Sequence, residues 1–269
     1  MNTRKHDPFW YLHMYKSVPT FGLNNKDVYG RTLAMEWLRY MGSEPPKELL
    51  HDKYIKDKQG KTLAMWWIIC LKKLPPPDIL HESTLADSQG QTCAMYWIEN
   101  VKTLPPKEIL HSISLTDKES HTLAMIWIAC VKTLPPKELL HDVNQTDIHG
   151  NTMEMLWIQF VHKPIPNEII YDPLTKNEDG DTAAMLWIEY CKINSSKENK
   201  LLPPKELLHD PTIQNKYGYT CAMIWIDTLG TVPPKSLLHD MKIKNEEGQT
   251  CASIWSMKNK DKPLPKELT

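Results

Sequence analysis

A motif represented by Asp87–Ile98 recurs along the chain at a nearly constant spacing. Its threonine occupies eight positions: Thr32, Thr62, Thr92, Thr122, Thr152, Thr182, Thr220 and Thr250. Six of the seven intervals between these threonines are 30 residues long, and the seventh is 38. A fixed period in this range is typical of a solenoid, in which each unit buries its apolar face against the units beside it. The repeat therefore constrains the fold more than any other feature of the sequence.

The residues around each threonine predict a tight turn followed by a helix. In the second copy, the turn runs from Asp57 to Gly60. Glycine suits the last position of this turn because it reaches positive φ without steric cost. Thr62 is placed to cap the helix through its hydroxyl. The predicted helix runs from Leu63 to Leu71, with apolar residues at the spacing i, i+3, i+4 and i+7. The residue after the methionine is apolar in most copies, so we expect a helix sandwiched between two neighbours.

A second block, Leu-Pro-Pro-Lys-Glu-Leu-Leu-His-Asp at Leu134–Asp142, recurs on the same period and predicts a second helix. Proline suits a first helical turn, so we expect about two turns over Pro136–His141, with the Leu-Leu pair packed inward. An extended hairpin loop then leads to the next turn. The predicted fold is an all-α repeat solenoid of about eight helix-turn-helix units with no substantial sheet.

The repeat positions also divide the chain into segments. Residues 1–26 are predicted to form an N-terminal capping segment, and residues 27–269 to form the repeat array. A polar insertion near residues 193–200 explains the longer interval; we favour a tolerated insertion over a functional loop, because surface loops accept added length at small cost. Residues 249–269 are predicted to be a degenerate C-terminal cap, since serine replaces two apolar residues of the motif there.

The turn and the leucine pair resemble those of ankyrin repeats. The Asp-x-x-Gly-x-Thr turn is present in Asp57–Thr62, Asp87–Thr92 and Asp147–Thr152, and Leu139–Leu140 matches the leucine pair of the second helix. The resemblance covers residues 27–268. It implies units of a β-turn and two helices, which bind protein partners through the turn tips and the exposed side of the first helix.

Some features depart from the family pattern. Leu63–Ala64–Met65 replaces the family's Pro-Leu-His, and Trp67 takes the place of a small alanine, so large and small core residues exchange positions. Short units of this style are similar to those in some bacterial, phage and protist proteins. The main alternative is a tetratricopeptide stack, whose longer repeat lacks the Asp-x-x-Gly-x-Thr turn.

Composition narrows the class of protein. The formal net charge is −1, so binding driven by phosphate neutralisation is not expected, although a local basic patch stays open. No apolar run approaches the ~18 residues that span a bilayer, and the polar N-terminus lacks the apolar centre of a signal peptide. We expect a cytoplasmic, monomeric array that does not bind membranes, with oligomers left open. The six cysteines form no Cys-x-x-Cys pair and are expected to be reduced, mostly buried thiols.

One position of the second block carries histidine in six copies: His51, His81, His111, His141, His209 and His239, with Tyr171 in the remaining copy. A metal site is one interpretation. Equivalent residues of adjacent units are roughly 8–10 Å apart, which is too far for two of them to share an ion with bonds of ~2 Å. The favoured interpretation is structural: each imidazole caps the second helix or bonds the backbone of the hairpin.

No catalytic or cofactor-binding constellation stands out from the repeat. The tryptophan and methionine stripes lie at helical spacing in nearly every copy, which indicates core packing. The glycines are isolated, so no phosphate-binding loop is indicated. We therefore predict a non-catalytic protein without cofactor or metal, and function should lie in positions that vary between copies.

The variable positions flank the turn glycine and lie on the exposed side of the first helix. The predicted partner-binding residues are Tyr29, Arg31, Arg39, Tyr40, Gln89, Gln91, Glu99, His149, Gln159, Phe160, Asp179, Asp181, Glu189, Tyr190, Tyr217, Tyr219 and Asp227. Aromatic residues within a polar rim are typical of protein interfaces, so the predicted function is a scaffold for a partner protein. The early copies are basic and the late ones acidic. The alternative is therefore a viral or bacterial effector-type inhibitor that blocks an enzyme through its acidic C-terminal half.

Overall fold

The computed structural model describes residues 7–111, 114–140, 145–161, 163–170, 172–194 and 202–269, of which 191–194 are described as backbone only. The helices in these ranges are α1 (Pro8–Tyr15), α2 (Leu33–Met41), α3 (Leu63–Leu71), α4 (Cys93–Val101), α5 (Leu123–Val131), α6 (Met153–Phe160), α7 (Ala183–Asn194), α8 (Cys221–Leu229) and α9 (Cys251–Lys258). β-Structure in the described ranges is confined to isolated bridges, such as Lys56 with Thr62. The predicted all-α repeat fold is confirmed.

The first helix of each repeat begins directly after the motif threonine and, except for the longer α7, ends after about two and a half turns. In α3 the Thr62 hydroxyl accepts a hydrogen bond from the Met65 N–H, which satisfies one of the free donors at the helix start. The helix ends at Lys72, whose left-handed conformation turns the chain away. The sequence-based bounds, Leu63 to Leu71, agree with the structure.

The second helix is much shorter than predicted. In five copies it is a 3₁₀ turn of three residues: Lys47–Leu49, Asn167–Ile169, Lys205–Leu207, Lys235–Leu237 and Lys266–Leu268. The prediction of two α-turns was wrong, because the residue after each turn is already extended, as at Leu50 with ψ 139°. The first residue of the leucine pair is buried throughout, whereas the second is only half-buried.

Neighbouring helices bury each other on both sides. Ala64, Met65 and Ile68 of α3 pack with Tyr96 and Trp97 of α4 in one apolar cluster. The same pattern joins α4 to α5 and α8 to α9. The methionines at this position are at most 1% exposed from the first copy to the seventh, so the stripe is core as predicted.

The chain divides into two compact units. Unit 1 comprises Met1–Val131 with Pro135–Leu139, and unit 2 comprises Lys132–Leu134 with Leu140–Thr269. In unit 1, α1 packs against α2 through the fully buried Leu12. The insertion predicted near residues 193–200 lies almost wholly outside the described residues, since α7 is described only to residue 194. The predicted segment boundaries stay predictions.

Among the helices that the structure describes, none combines the length and the apolar character needed to cross a membrane.

Candidate protein-binding surface

The tip of each repeat is a hydrogen-bonded turn organised by its first side chain. In the second copy, Asp57 Oδ1 accepts hydrogen bonds from the N–H groups of Gln59 at 2.8 Å and Lys61 at 2.9 Å. Gly60 lies at φ +82° and donates its N–H to the Asp57 carbonyl. Asparagine performs the same role in the later copies, as at Asn215. The backbone conformation of each tip is therefore fixed by hydrogen bonds within its own turn.

Successive tips within a unit are also joined to each other. The carbonyl of Tyr29 accepts the Lys58 N–H at 2.9 Å, and the carbonyl of Gln59 accepts the Ser88 N–H at 2.9 Å. The same bond recurs between later tips in both units. A Cβ on Gly60 would lie 2.5 Å from Ser88 N, so glycine serves both the positive φ and the close approach of the next turn.

The residue before the turn glycine (or before Ser120, which replaces it in the fourth copy) is exposed in every copy. The exposed set comprises Tyr29, Gln59, Gln89, Glu119, His149, Asp179, Tyr217 and Glu247. Tyr29 is 62% exposed and Tyr217 is 50% exposed, which is unusual for aromatic side chains. The five tip residues predicted at this position are thus accessible to a partner.

The residue after the turn glycine behaves differently. Gln91 is half-buried and donates to Glu99 Oε1 at 2.8 Å, so these two predicted residues lie together. Asp181 is only 7% exposed and accepts a bond from Asn215 Nδ2 at 2.8 Å. Tyr219 is also half-buried. The residues at this position, which we call the floor residues, are therefore half-buried or buried beneath the exposed tip residues.

Arginine takes this floor position in the first copy. Arg31 bridges Asp27 at 2.7 Å and the buried Glu36 at 3.1 Å. Glu36 also pairs with Arg39 at 2.9 Å. Of the basic residues predicted for the early copies, Arg31 and Arg39 are therefore compensated within the first repeat.

The helix positions of the predicted set divide in the same way. Arg39, Tyr40, Glu189 and Asp227 are exposed. The remaining four are half-buried: Glu99, Gln159, Phe160 and Tyr190. The prediction of a single exposed set did not separate the exposed residues from the half-buried ones.

The histidine position joins the two halves of each repeat. Nε2 of His51, His81, His111, His209 and His239 lies 2.7–2.9 Å from the hydroxyl of the threonine that begins the helix of the same repeat. In four of them Nδ1 lies 2.7–2.9 Å from the next residue's carbonyl oxygen. His141 and Tyr171 lie outside the described residues.

These contacts determine which ring nitrogen carries the proton. A carbonyl oxygen only accepts, so Nδ1 donates, and in the neutral ring Nε2 accepts from the threonine hydroxyl. Burial lowers the pKa of His51 and His81, which favours this neutral form. The predicted backbone bond is present, whereas the threonine bond was missed. The spacing of 19 residues between threonine and histidine, as from Thr62 to His81, was the available signal, and it lengthens to 27 only from Thr182 to His209, across the insertion.

A scan against protein-family models found no match, and a search of the curated proteins found none. Among solved structures, the ankyrin repeat protein EF0377 is 17% identical over 62% of this chain and 92% of that chain, with a TM-score of 0.40. The ankyrin repeat domain of Bcl-3 is 11% identical over 76% of this chain and 91% of that one, at 0.41. A complex of the endopeptidase Bd0816 from Bdellovibrio bacteriovorus with immunity protein Bd3460 is 16% identical over 55% and 80%, at 0.36. Matches this distant assign no residue or partner to this chain.

The resemblance to ankyrin repeats rests on the repeat unit itself. Each described copy combines the Asx turn, a first helix that begins directly after the motif threonine, and the short helical turn with its buried leucine or isoleucine. The chain is an ankyrin-like repeat array.

The thiols of the ankyrin-like array are packing groups. Cys93, Cys221 and Cys251 are buried at the start of their helices. Burial raises the pKa of Cys93 and Cys221 to about 12 and that of Cys251 to about 11. Cys70 and Cys130 are half-buried. Thiolates, the reactive form, are therefore disfavoured at the three buried positions.

Four carboxyl groups of unit 2 lie near one another and form what we call its acidic face: Asp179, Asp181, Glu189 and Asp227. Loss of hydration around the carboxyl, followed by the charges of Asp181, Asp179 and Asp227, raises the pKa of Glu189 to about 7, although the residue as a whole stays exposed. Asp179 pairs with Lys216, and Asp227 with Lys258 at 3.0 Å. The acidic character predicted for the late copies is thus partly compensated.

Proposed function

We propose that the chain is a non-catalytic scaffold that binds a partner protein through its turn tips and the exposed side of its first helices. One contrast carries this proposal. The tip backbone is fixed by repeated hydrogen bonds, whereas its exposed residue changes from copy to copy: tyrosine, glutamine, glutamine, glutamate, histidine, aspartate, tyrosine and glutamate. A rigid backbone that presents varied side chains loses little conformational entropy on binding.

The predicted residues take two roles in this proposal. The exposed set contacts the partner, and it comprises Tyr29, Arg39, Tyr40, Gln89, His149, Asp179, Glu189, Tyr217 and Asp227. The half-buried and buried residues hold these in place, and they comprise Arg31, Gln91, Glu99, Gln159, Phe160, Asp181, Tyr190 and Tyr219. Exposed tyrosines within a polar surface are suited to act as anchors.

The chemistry of the repeat supports a binding role over a catalytic one. The imidazoles are engaged in structural hydrogen bonds, and the buried thiols are disfavoured as nucleophiles. Within the described ranges, no three His, Cys, Asp or Glu side chains are grouped so that they could hold a metal ion.

The test compares two sets of alanine variants against a partner purified from the native cell. The tip set is Gln89→Ala, His149→Ala and Tyr217→Ala combined. The matched control set is Lys107→Ala, Glu168→Ala and Lys235→Ala, which are exposed on the short helical turns of the same three repeats. Isothermal titration calorimetry should give affinity reduced by about tenfold or more for the tip set and unchanged for the control. Equal losses, or loss only in the control, would place the binding surface elsewhere.

A second candidate function is inhibition of an enzyme through the acidic face of unit 2. The raised pKa of Glu189 beside three further carboxylates supports it, because such a surface attracts a cationic partner. The association rate with that partner should then fall steeply as salt rises from 50 to about 500 mM. A rate independent of salt would argue against this candidate and leave the tip surface as proposed.

A further inference from the structure

Two aromatic side chains of unit 1 depart from the repeat pattern. The residue after the motif methionine is Trp66 in the second copy and Tyr96 in the third, whereas the fourth to eighth copies carry leucine or isoleucine there. Trp66 Nε1 donates to Asp57 Oδ2 at 3.0 Å, and the Tyr96 hydroxyl donates to Asp87 Oδ2 at 2.7 Å. Each ring is therefore tethered to the turn of its own repeat, which fixes both orientations.

A positive charge already lies over these rings. Lys61 Nζ is 6.0 Å from the centroid of Trp66 and 5.7 Å from that of Tyr96. Its hydrogen bond is to Gln59 Oε1 at 2.8 Å, on an exposed tip side chain. An ammonium within about 6 Å of an aromatic face is attracted by the ring quadrupole, more strongly where water is partly excluded.

Carboxylates around the rings add to this attraction. Burial, the hydrogen bond to Asp87 and the charges of Asp87, Glu99 and Asp57 all raise the pKa of the Tyr96 phenol. Burial and the charges of Asp117 and Asp87 raise the pKa of Glu99 in turn. The surroundings of the two rings are thus rich in negative charge, which favours a cation over any neutral or anionic group.

We propose that the faces of the half-buried Trp66 and the buried Tyr96, which Lys61 covers in the free chain, are a binding site for a lysine or arginine side chain of the partner protein. This inference rests on the proposed function and specifies the chemistry of the partner. Lys61 is a suitable placeholder because it is half-buried, flexible and held by an exposed glutamine. An arriving guanidinium would stack on the rings, and the displaced Lys61 ammonium would return to water.

The site can be tested on the full chain without the partner. The variant Lys61→Met removes the ammonium from the two rings while keeping a flexible apolar chain. The probe is the peptide acetyl-Gly-Arg-Gly-amide, and its control replaces arginine with uncharged citrulline. The readout is the indole N–H signal of Trp66 in a ¹H–¹⁵N spectrum, assigned with Trp66→Phe. Thermal unfolding of each variant checks that the fold is retained.

In Lys61→Met, the arginine peptide should shift the Trp66 signal saturably, and the citrulline peptide should bind about fivefold more weakly or not at all. The unsubstituted chain should bind the arginine peptide about fivefold more weakly than Lys61→Met, because Lys61 competes. Adding Tyr96→Leu should remove the response. Equal shifts with both peptides, equal binding to the two chains, or no shift in either chain would overturn the inference. Partner binding through the tips is measured separately, so that result would leave the proposed function standing.

Discussion

The hydroxyl of the motif threonine offers a direct test of how each repeat is held together, because one copy lacks its bonds. In unit 2, Thr220 Oγ1 accepts from the Met223 N–H at 3.3 Å and donates to His239 Nε2 at 2.7 Å. Thr152 is equally buried, yet its hydroxyl has no hydrogen-bond partner within the described ranges and makes no cap bond. Valine keeps the shape of threonine and removes only the hydroxyl.

The magnitude follows from the two bonds. Loss of an N-cap hydroxyl costs ~1 kcal/mol, and loss of the bond to histidine costs a further ~1 kcal/mol. We expect Thr220→Val to lower the free energy of unfolding by about 2 kcal/mol. Thr152→Val should change it by less than ~0.5 kcal/mol or raise it, because the hydroxyl removed there is buried without a partner.

Urea unfolding followed by circular dichroism at 222 nm measures both variants, with the slope m checked for constancy. Thr220→Ser keeps the hydroxyl and should recover most of the loss. Equal destabilisation by the two valine variants would refute the reasoning, since the histidine and cap bonds could not then explain the constancy of this threonine.

Two further predictions follow from the turns and the histidines. Gly218→Ala and Gly248→Ala both place a side chain at positive φ, but only at Gly218 does backbone of the next turn lie within 2.7 Å of the new Cβ. Urea unfolding should therefore show that the free energy of unfolding falls by about 3 kcal/mol in Gly218→Ala and by about 1 kcal/mol in Gly248→Ala. Equal losses in the two variants would contradict the role of the close approach. Because burial lowers the pKa of His51 and His81 in the folded state, their protonation favours unfolding. Glu189, whose pKa is raised, titrates in the same pH range in both chains, so the unsubstituted chain is compared with His81→Gln. Relative to His81→Gln, its stability in thermal unfolding should be constant from pH 8 to ~6.5 and fall as pH drops below that value.

The sequence was sufficient for the parts of the fold that depend on local rules. The threonine cap and apolar spacing placed α3 at Leu63–Leu71, because both act within one helix. The length of the second helix was wrong. Helix periodicity in six residues such as Pro136–His141 cannot distinguish two α-turns from a single turn followed by extended backbone.

The candidate surface was predictable only in part. The residues before the turn glycine are exposed as expected, because the Asx turn alone points them away from the repeat. The residues after the glycine were grouped with them, yet Asp181 bonds Asn215 of the next repeat and Gln91 bonds Glu99. Such contacts depend on how side chains meet in three dimensions, which spacing along the chain does not specify. The sequence analysis assigned Trp66 and Tyr96 to helix packing only, and spacing along the chain could not place the Lys61 ammonium near both rings.

The proposed function requires that the exposed tip side chains contact the partner. Site-specific photo-crosslinking tests it most directly, with benzoylphenylalanine placed at Tyr217 on a tip or at Lys235 on the short helical turn of the same repeat. We expect the purified partner to be crosslinked from position 217 and not from position 235. Crosslinking from position 235 alone, or equally from both positions, would contradict it.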